Sequence, residues 1–314
     1  MSARYARGWF GVAPSHELPR RAVRALRYFG RDLVLFRGDD GVARVLDGHC
    51  PHLGAHLGRG GTVDGNALRC PFHGWSWDGA GRCAAIPYAK KIPANARTRA
   101  WPVDEKNGLV LLHHDPHDRA PRFEIPDVFA EHGGLAAWRL VGSRRWRIEG
   151  CLPYDVLENA ADSAHFARVH GTGPTRTTLD IDGDRARTLS VTTVRILGLV
   201  TLETELETIH VGPGFASVLL RRGFELMVTS STVPIDDGAL AAQLLFWVRR
   251  TRNPLPWMLG RLVIVPEAQR QFAEDIPIWT HKRHWERPVL CDGDGPIMKL
   301  RRWYRQYLDD DATT

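Results

Sequence analysis

Two cysteines and three histidines lie in the segment CPHLGAHLGRGGTVDGNALRCPFHGW, which spans residues 50–75. One residue separates Cys50 from His52, seventeen residues separate His52 from Cys70, and two residues separate Cys70 from His73. Thiolate and imidazole together bind zinc and iron, so the segment predicts a metal centre. The four side chains suit either a tetrahedral zinc site or a [2Fe–2S] cluster with both cysteines on one iron and both histidines on the other.

The order of residues within this segment favours the cluster. A proline follows each cysteine, which stiffens the loop and removes one N–H donor. Zinc fingers of this ligand type place the two cysteines together and the two histidines together, whereas here the types alternate. His49 and His56 fall outside the spacing and are not predicted to be ligands. Five glycines allow the backbone to close around an inorganic core, at positions 54, 58, 60, 61 and 74.

The pattern C-P-H-x17-C-P-F-H-G-W resembles the Rieske iron–sulfur motif of ring-hydroxylating and related oxygenases. The version found in cytochrome complexes carries a further cysteine in each loop, and this segment has none. The resemblance implies a [2Fe–2S] cluster held by four residues, and these are Cys50, His52, Cys70 and His73. Two histidine ligands make an oxidised cluster easier to reduce than four cysteines do, which suits a relay that receives electrons from a ferredoxin.

A second set of candidate ligands follows in residues 158–170, ENAADSAHFARVH. We predict a helix over 157–170, on which Asp162 and His165 share one face. His165 and His170 are five residues apart, so both reach one metal only if the helix widens or ends between them. Two histidines and a carboxylate form the facial triad of non-haem iron(II) oxygenases. The alternative is a pair of satisfied core histidines.

These residues resemble the N-x-x-D-x-x-H-x4-H signature of the Rieske oxygenase catalytic subunit, matched at Asn159, Asp162, His165 and His170. The resemblance implies that His165 and His170 bind a mononuclear Fe(II), next to the catalytic residues Asn159 and Asp162. It also implies that Asp162 accepts hydrogen bonds from His165 and from His73 of a neighbouring chain, which couples the two metal sites. A helix cap or a local salt bridge is the alternative role for Asp162.

The third iron ligand is expected to be a carboxylate far downstream. We predict Asp275, on a helix over 266–283 with Pro277 inside it, and Glu274 is the second choice. The segments EDIPIWTHK and DGPIMKLRRWYRQY resemble the oxygenase subunit of 3-ketosteroid 9α-hydroxylase and the animal cholesterol 7-desaturases. In that branch the aspartate of the Glu-Asp pair is the ligand. The other carboxylates considered are Asp236, Glu267 and Glu286.

The elements around these motifs predict an α+β protein with two domains. Residues 1–115 read as an all-β Rieske domain, with a hairpin over 33–46 around the turn GDDG. Residues 116–314 read as a helix-grip-like catalytic domain, an antiparallel sheet with helices, with a strand pair over 138–150 and a last helix over 299–307. His113, His114 and His117, at the junction, are interpreted as a surface cluster rather than a metal site. An apolar pocket is sought among Ile196, Leu197, Leu245, Phe246 and Trp247.

The composition is that of a soluble globular protein, with 43% hydrophobic and 25% charged residues. The chain has no apolar run long enough to span a membrane and no secretory signal pattern, so a cytoplasmic protein is expected. Five cysteines, an odd number thinly spread, argue against a disulfide scaffold. The net charge of +6 suits an acidic protein partner or a plain solvated surface, and no nucleic-acid motif accompanies it.

Together these features predict the oxygenase component of a multicomponent Rieske oxygenase. It would use O2, and electrons delivered from NADH or NADPH by a ferredoxin or flavin reductase, to hydroxylate or desaturate a small hydrophobic substrate that is steroid- or sterol-like. By resemblance the assembly is a homotrimer. An aromatic-ring dioxygenase or an O- or N-demethylase of the same superfamily is the first alternative. A Rieske electron-transfer protein with an inactive second site is the alternative from another class.

Overall fold

The N-terminal part of the chain consists of short antiparallel strands. The computed structural model describes residues 5–196, 200–221 and 225–308. The N-terminal strands are β1 (Gly8–Pro14), β2 (Val23–Tyr28), β3 (Arg31–Arg37), β4 (Ala43–Asp47), β5 (Thr62–Asp64), β6 (Ala67–Arg69), β7 (Ser76–Trp77), β8 (Cys83–Ala85), β9 (Ala100–Trp101), β10 (Val103–Lys106) and β11 (Leu109–His114). They form three sheets in the orders β1-β11-β10, β2-β3-β4-β9 and β5-β6-β7-β8.

Strand β3 shows how these small sheets share their cores. Its side chains alternate between two faces, as they do in any strand. Leu33 and Leu35 enter the core that also contains β1 and β11, whereas Val34 and Phe36 pack in the core that contains Cys50 and Cys70. The predicted hairpin over 33–46 is confirmed, because β3 pairs with β4 from Leu33 opposite Asp47 to Arg37 opposite Ala43. This strand therefore anchors the cysteine loops to the rest of the molecule.

The second half of the chain is built on one large antiparallel sheet. Its strands are β12 (Trp138–Glu149), β13 (Arg176–Asp182), β14 (Arg185–Ile196), β15 (Val200–Val211), β16 (Phe215–Arg221), β17 (Leu226–Asp236) and β18 (Ala239–Arg249). Their order is β12-β18-β17-β16-β15-β14-β13. The prediction of a strand pair over 138–150 is wrong, because this segment is one long strand that pairs with β18 along its whole length. The predicted α+β class is confirmed.

Five helices lie in the described part of this half: α1 (Pro153–Glu158), α2 (Ser163–Val169), α3 (Leu255–Leu259), α4 (Val265–His281) and α5 (Ile297–Arg305). The single helix expected over 157–170 is instead α1 and α2, because Asp162 has extended backbone and caps a new helix at Ser163. The helix expected over 266–283 is α4, and it includes Pro277 as predicted.

The two faces of the large sheet have different neighbours. The face that we call the N-terminal face carries Leu245 and Trp247, which pack with Trp9 and Leu109 of the N-terminal part. The opposite face, the helix face, carries Ala242, which packs with Trp279 of α4, and Phe246, which packs with Val265. Each strand places alternate residues on the two faces. The helix face and α4 therefore enclose the layer in which α1 and α2 lie.

Two smaller predictions are also corrected. His113 and His114 are buried, 5% and 6% exposed, because they belong to β11, and His114 stacks on Phe29. They are not a surface cluster. Leu245 and Trp247 cannot line a pocket at the helices because they face the N-terminal part, and Phe246 is fully buried. Leu197 lies outside the described residues, and for Ile196 the structure describes the backbone alone.

Candidate functional site

The two loops that carry the cysteines are built in the same way. The amide of Cys50 donates to the carbonyl of Ala55, and the amide of Gly54 donates back to the carbonyl of Cys50, both at 2.9 Å. In the second loop the amide of Cys70 donates to Trp75 at 2.8 Å and that of Gly74 donates to Cys70 at 3.1 Å. Both glycines have positive φ, 79° and 74°, which a side chain would strain. Each loop thus presents a cysteine and a histidine from one tight turn.

The four predicted cluster ligands converge at the tips of these loops. Both cysteines are buried, and Cys50 lies close enough to Cys70 for their side chains to hydrogen-bond. The rings of His52 and His73 lie with their centroids 4.8 Å apart. Burial, followed by smaller effects of neighbours that include Cys70, raises the pKa of the Cys50 thiol. Two thiols facing inward and two half-buried imidazoles facing outward fit a cluster with mixed ligands.

An aromatic side chain holds one of these histidines in place. Trp75 stacks on His52 with ring centroids 4.5 Å apart and an angle of 12° between the planes. The Trp75 indole N–H donates to the hydroxyl of Tyr88 at 2.8 Å, which fixes the indole in turn. Such outer contacts set the orientation of a ligand ring. The sequence pattern predicts no role for Trp75 or Tyr88, although Trp75 is the last residue of C-P-F-H-G-W.

The second set of candidate ligands comes together between α2 and α4. His165 lies inside α2, His170 ends it, and Asp275 lies on the buried side of α4. One ligand atom from each of the three residues lies within 4.8 Å of the other two. The helix ends at His170, so the helical repeat does not set the direction of this side chain. A spacing of five residues can therefore bring both imidazoles to one metal. The structure thus brings together the residues that the sequence singled out.

The hydrogen bonds of His165 leave one ring nitrogen free for a metal. Its Nδ1 donates to the main-chain carbonyl of Asp162 at 2.7 Å, so Nε2 of the neutral ring keeps its lone pair. Burial lowers the pKa of His165, and this outweighs the opposite effect of the Asp162 carbonyl. A neutral imidazole with one nitrogen fixed by a carbonyl is the usual state of a metal ligand.

His170 lies between two carboxylates. Its Nδ1 is 3.4 Å from Glu274, and its Nε2 is 3.4 Å from Asp275. If Nδ1 donates to Glu274, the lone pair of Nε2 faces an Asp275 oxygen, and two such acceptors need a cation between them. Burial lowers the pKa of His170, but Asp275 and Glu274 outweigh it and the net pKa is raised. Either a proton or a metal shared with His165 would satisfy this pair.

Asp162 uses its carboxylate differently from the expectation. One oxygen accepts hydrogen bonds from the amides of Ala164 and His165, at 3.1 and 3.2 Å, and so caps α2. The contact with the His165 ring comes from the main-chain carbonyl of Asp162 instead. Its second carboxylate oxygen has no hydrogen bond within the described part of the chain. The helix-cap role, which the sequence left open as an alternative, is therefore present, and it leaves one oxygen for a further partner.

Buried polar and charged side chains join the helices that surround the candidate metal site. Asn159 accepts a hydrogen bond from the Trp279 indole at 3.2 Å, which ties α1 to α4. Next to it, the buried Glu158 accepts from Lys282 at 2.8 Å and from Arg301 at 2.5 Å. These contacts join α1, the end of α4 and α5. Sequence reasoning found Asn159 but missed Glu158, because only tertiary contacts distinguish a buried glutamate from a solvated one.

The other carboxylates that were considered lie elsewhere. Glu267 pairs with Arg270 on the exposed side of α4, and Asp236 lies near Arg147 at the end of β17. Glu274 contacts both Arg270 and His170, so it holds a ligand candidate from outside instead of pointing to the centre. Asp275 is 6% exposed, which sets it apart from these three.

Two family models match the chain. The Rieske [2Fe-2S] domain matches residues 8–98, and the 3-ketosteroid 9alpha-hydroxylase C-terminal domain matches residues 112–308. The chain is 32% identical to a 3-ketosteroid-9-alpha-monooxygenase oxygenase component of Rhodococcus rhodochrous, over 98% of this chain and 84% of that protein. It is also 30% identical to cholesterol 7-desaturase nvd 1 of Ciona intestinalis, over 98% of this chain and 70% of that protein.

Solved structures share the fold at lower identity. NdmA of Pseudomonas putida CBB5 superposes with a TM-score of 0.76 at 20% identity, covering 95% of this chain and 89% of that chain. Dicamba monooxygenase bound to dicamba superposes with a TM-score of 0.73 at 19% identity, covering 100% and 99%. These two similarities establish the architecture of a Rieske domain followed by a large antiparallel sheet. In the described part of the chain, no helix has the length and apolar character needed to cross a membrane.

Proposed function

Because the chain belongs to the family of 3-ketosteroid 9α-hydroxylase oxygenase components, we propose that it inserts one atom of O2 into a 3-ketosteroid or a closely similar steroid. As a member of this family it is the oxygenase component of a Rieske-type non-haem iron monooxygenase. Its cofactors are a [2Fe–2S] cluster and a mononuclear iron. The observation that carries the proposal is the convergence of His165, His170 and Asp275 within 4.8 Å, in a chain whose N-terminal part contains a complete Rieske motif.

We assign the cluster to Cys50, His52, Cys70 and His73, and the mononuclear iron to His165, His170 and Asp275. When bound, an iron in such a triad supplies O2 activation for attack on an unactivated C–H bond. The protein's part is to hold the ligands. The Asp162 carbonyl fixes one histidine, Glu274 fixes the other, and the proposed boundary between the two domains remains at residue 115.

The substrate class is supported by the lining of the helix face. On the central strands β16, β17 and β18, the half-buried residues away from the strand ends all lie on this face, whereas the other residues of both faces, Phe246 among them, are buried. The half-buried set is largely apolar and includes Val218, Leu220 and Leu244, with the small polar residues Ser230 and Thr232 among them. Such a lining suits a long, mostly apolar molecule that carries few polar groups.

We further propose a homotrimer in which the cluster of one chain serves the iron of the next. The loop tips expose the large apolar side chains of Leu53, Phe72 and Tyr88, between 61% and 65% exposed, around His52 and His73. An apolar surface of this kind next to two ligands is typical of an interface. The unpaired oxygen of Asp162 would then accept a hydrogen bond from His73 of the neighbouring chain.

Electrons are proposed to come from a ferredoxin or flavin reductase that uses NADH or NADPH. A groove beside Pro51 of the first cluster loop is lined by three arginines and two aspartates, which are Arg31, Arg97, Arg99, Asp32 and Asp47. With a net charge of +6 on the chain, this groove suits an acidic partner. It lies next to the cluster, where an electron donor must approach.

The decisive experiment is product mass. Purified protein with a surrogate ferredoxin, its reductase, NADH and O2 is given a panel of 3-ketosteroids, sterols and small methoxylated aromatics. One added oxygen on a 3-ketosteroid is the expected result. Loss of two hydrogens would instead indicate desaturation, the reaction named for the Ciona relative. Turnover of an aromatic compound with all steroids unchanged would contradict the proposed substrate.

A further inference from the structure

His210 lies on the helix face of the large sheet, next to the last residue of β15. It is opposite Ala186 of β14 and Ala216 of β16, which are both small. Thr208 lies two residues back on the same strand and face, and Thr188 is opposite Thr208, so Thr188 is a diagonal neighbour of His210. On this face of the sheet the neighbours of the imidazole are therefore alanines and hydroxyl-bearing residues.

The imidazole lies deep inside the protein but is not packed on all sides. Burial lowers its pKa to about 4, so the ring is neutral near pH 7. Its side chain is nevertheless only half-buried, like Thr208 and Val218 beside it on the helix face. Part of the ring therefore borders space on the helix face that the described residues do not fill. A neutral imidazole offers that space one donor and one acceptor.

Two polar atoms at this point have no partner in the fold. Nε2 of His210 is enclosed and makes no hydrogen bond within the described residues, and the same holds for Oγ1 of Thr188, a residue only 1% exposed. Most buried polar side-chain atoms are hydrogen-bonded, and an unpaired one costs free energy. By contrast, the hydroxyl of Ser230 on the same face donates to the carbonyl of Ala216. An apolar residue at 210 would avoid the cost, so the pair indicates a partner that is not part of the chain.

We propose that His210, assisted by Thr188, is the polar end of the substrate cavity and donates a hydrogen bond to a carbonyl oxygen of the substrate. This inference rests on the proposed function and deepens it, because it names the group that holds an elongated ketone in place. The terminal torsion of a histidine is soft, so the ring presents either nitrogen to the cavity. The apolar neighbours Val218, Leu220 and Leu244 then hold the hydrocarbon body.

The position of His210 relative to the metal site suits this role. Gly173, three residues after His170, accepts a hydrogen bond from Thr192 on β14. Thr192 and Ala186 are six residues apart on that strand, or about 20 Å at ~3.3 Å per residue, and His210 is opposite Ala186. The imidazole therefore lies well away from the iron ligands along the sheet. A carbonyl bound there would place the far part of a long molecule towards the metal.

The test compares His210→Leu, His210→Gln and Thr188→Val with the wild-type holoenzyme. Equilibrium dialysis measures the binding of three steroids that share one carbon skeleton. The first carries a single ketone at carbon 3, the second carries a single ketone at the opposite end of the skeleton, and the third is the parent hydrocarbon without oxygen. We expect His210→Leu to weaken binding of one monoketone about tenfold and to leave the hydrocarbon unchanged. His210→Gln, which keeps an N–H donor, should recover part of the loss, and Thr188→Val should show a smaller loss. Ser217→Ala, a buried serine on the N-terminal face of β16, is the matched control and should not distinguish ketone from hydrocarbon.

Thermal unfolding of the same proteins separates a ligand-binding role from a structural one. Because Nε2 has no partner in the described part of the chain, His210→Leu should be as stable as wild type or more stable. A clear drop in its unfolding temperature, or equal losses for ketone and hydrocarbon, would overturn the proposal. If the wild type binds no steroid, the proposed substrate is wrong. Decalone, a bicyclic ketone, and decalin, its parent hydrocarbon, then test His210 in the same way. Equal binding of both by wild type would overturn the His210 assignment as well.

Discussion

Nε2 of His170 lies 3.4 Å from a carboxylate oxygen of Asp275, and its Nδ1 lies 3.4 Å from Glu274, the preceding residue of the same helix. Consecutive helix residues point about 100° apart, yet both carboxylates reach this imidazole because it lies between their directions. The inner contact is buried and faces His165, whereas the outer carboxylate also pairs with Arg270. This difference assigns the two acids to different tasks.

Replacing the inner acid should remove the mononuclear iron. We expect Asp275→Asn to contain two irons per chain instead of three, with the cluster intact, because the amide loses the charge that attracts the metal. Glu274→Gln is the matched control, and it should keep three irons with an activity loss of about tenfold, as for an outer contact. Iron and sulfide analysis with turnover rates measures both. Loss of iron from Glu274→Gln alone would reverse the assignment.

Asp162 should act through its charge and not only as a helix cap. Asparagine caps a helix as well as aspartate does, so Asp162→Asn should retain stability and both metals. We expect its product formation to fall by 10- to 100-fold, because the charged link between the sites is lost. Asp162→Ala should in addition lose about 1 kcal/mol of stability. If Asp162→Asn turns over substrate like wild type, the link to the neighbouring cluster does not depend on this carboxylate.

Glu158 should matter for stability more than its distance from the reaction suggests. It is 5% exposed and is bound to Lys282 and Arg301, so its removal leaves Arg301 without its carboxylate, whereas Lys282 keeps Asp155 at 3.3 Å. Breaking such a buried pair costs about 3–5 kcal/mol, and we expect Glu158→Gln to fall near the lower end. The control is Glu149→Gln at the exposed pair with Arg147, which should cost less than 1 kcal/mol. Denaturant unfolding followed by fluorescence compares the two variants, and equal losses would contradict the role given to Glu158.

The buried histidines should make the fold sensitive to acid. Burial lowers the pKa of His113 and of His114 to about 4, whereas an unfolded histidine titrates near 6.5. Below pH 6.5 the unfolded chain therefore binds protons that the fold excludes, so stability is full above this pH and falls towards pH 4. We expect His114→Phe, which keeps the stack on Phe29, to lose less unfolding temperature between pH 7 and pH 5 than wild type does. Parallel curves for the two proteins would contradict this.

The assembly can be tested at the tips of the cluster loops. Leu53 is 65% exposed beside His52, and a charge at this position would be buried at the proposed interface. We expect Leu53→Glu to shift the protein from trimer to monomer in light scattering and to lose turnover while keeping all three irons. Val42→Glu, at an exposed position on the turn between β3 and β4, is the control and should remain trimeric. A monomeric wild type would refute the proposed assembly.

The candidate ligands of both sites could be predicted because they depend on the spacing of residues within short segments. A cysteine, a proline and a histidine within three residues need one tight loop whatever the rest of the chain does, and the second loop repeats the same hydrogen bonds. The pair His165 and His170 was found in the same way. The helix around them was predicted wrongly, because capping by Asp162 competes with continuation of the helix and both fit the local pattern.

The sequence by itself determined which residues could hold metals and the order of a small β domain before a large sheet, since these depend on ligand spacing and on alternation within single segments. Only the tertiary structure decided that Asp275 and not Glu274 faces the histidines, that Leu245 and Trp247 face the N-terminal part, and that Nε2 of His210 has no hydrogen-bond partner among the described residues. Those outcomes depend on which faces of distant strands and helices meet. A period of two or of 3.6 residues fixes the faces of an element but not what each face will meet.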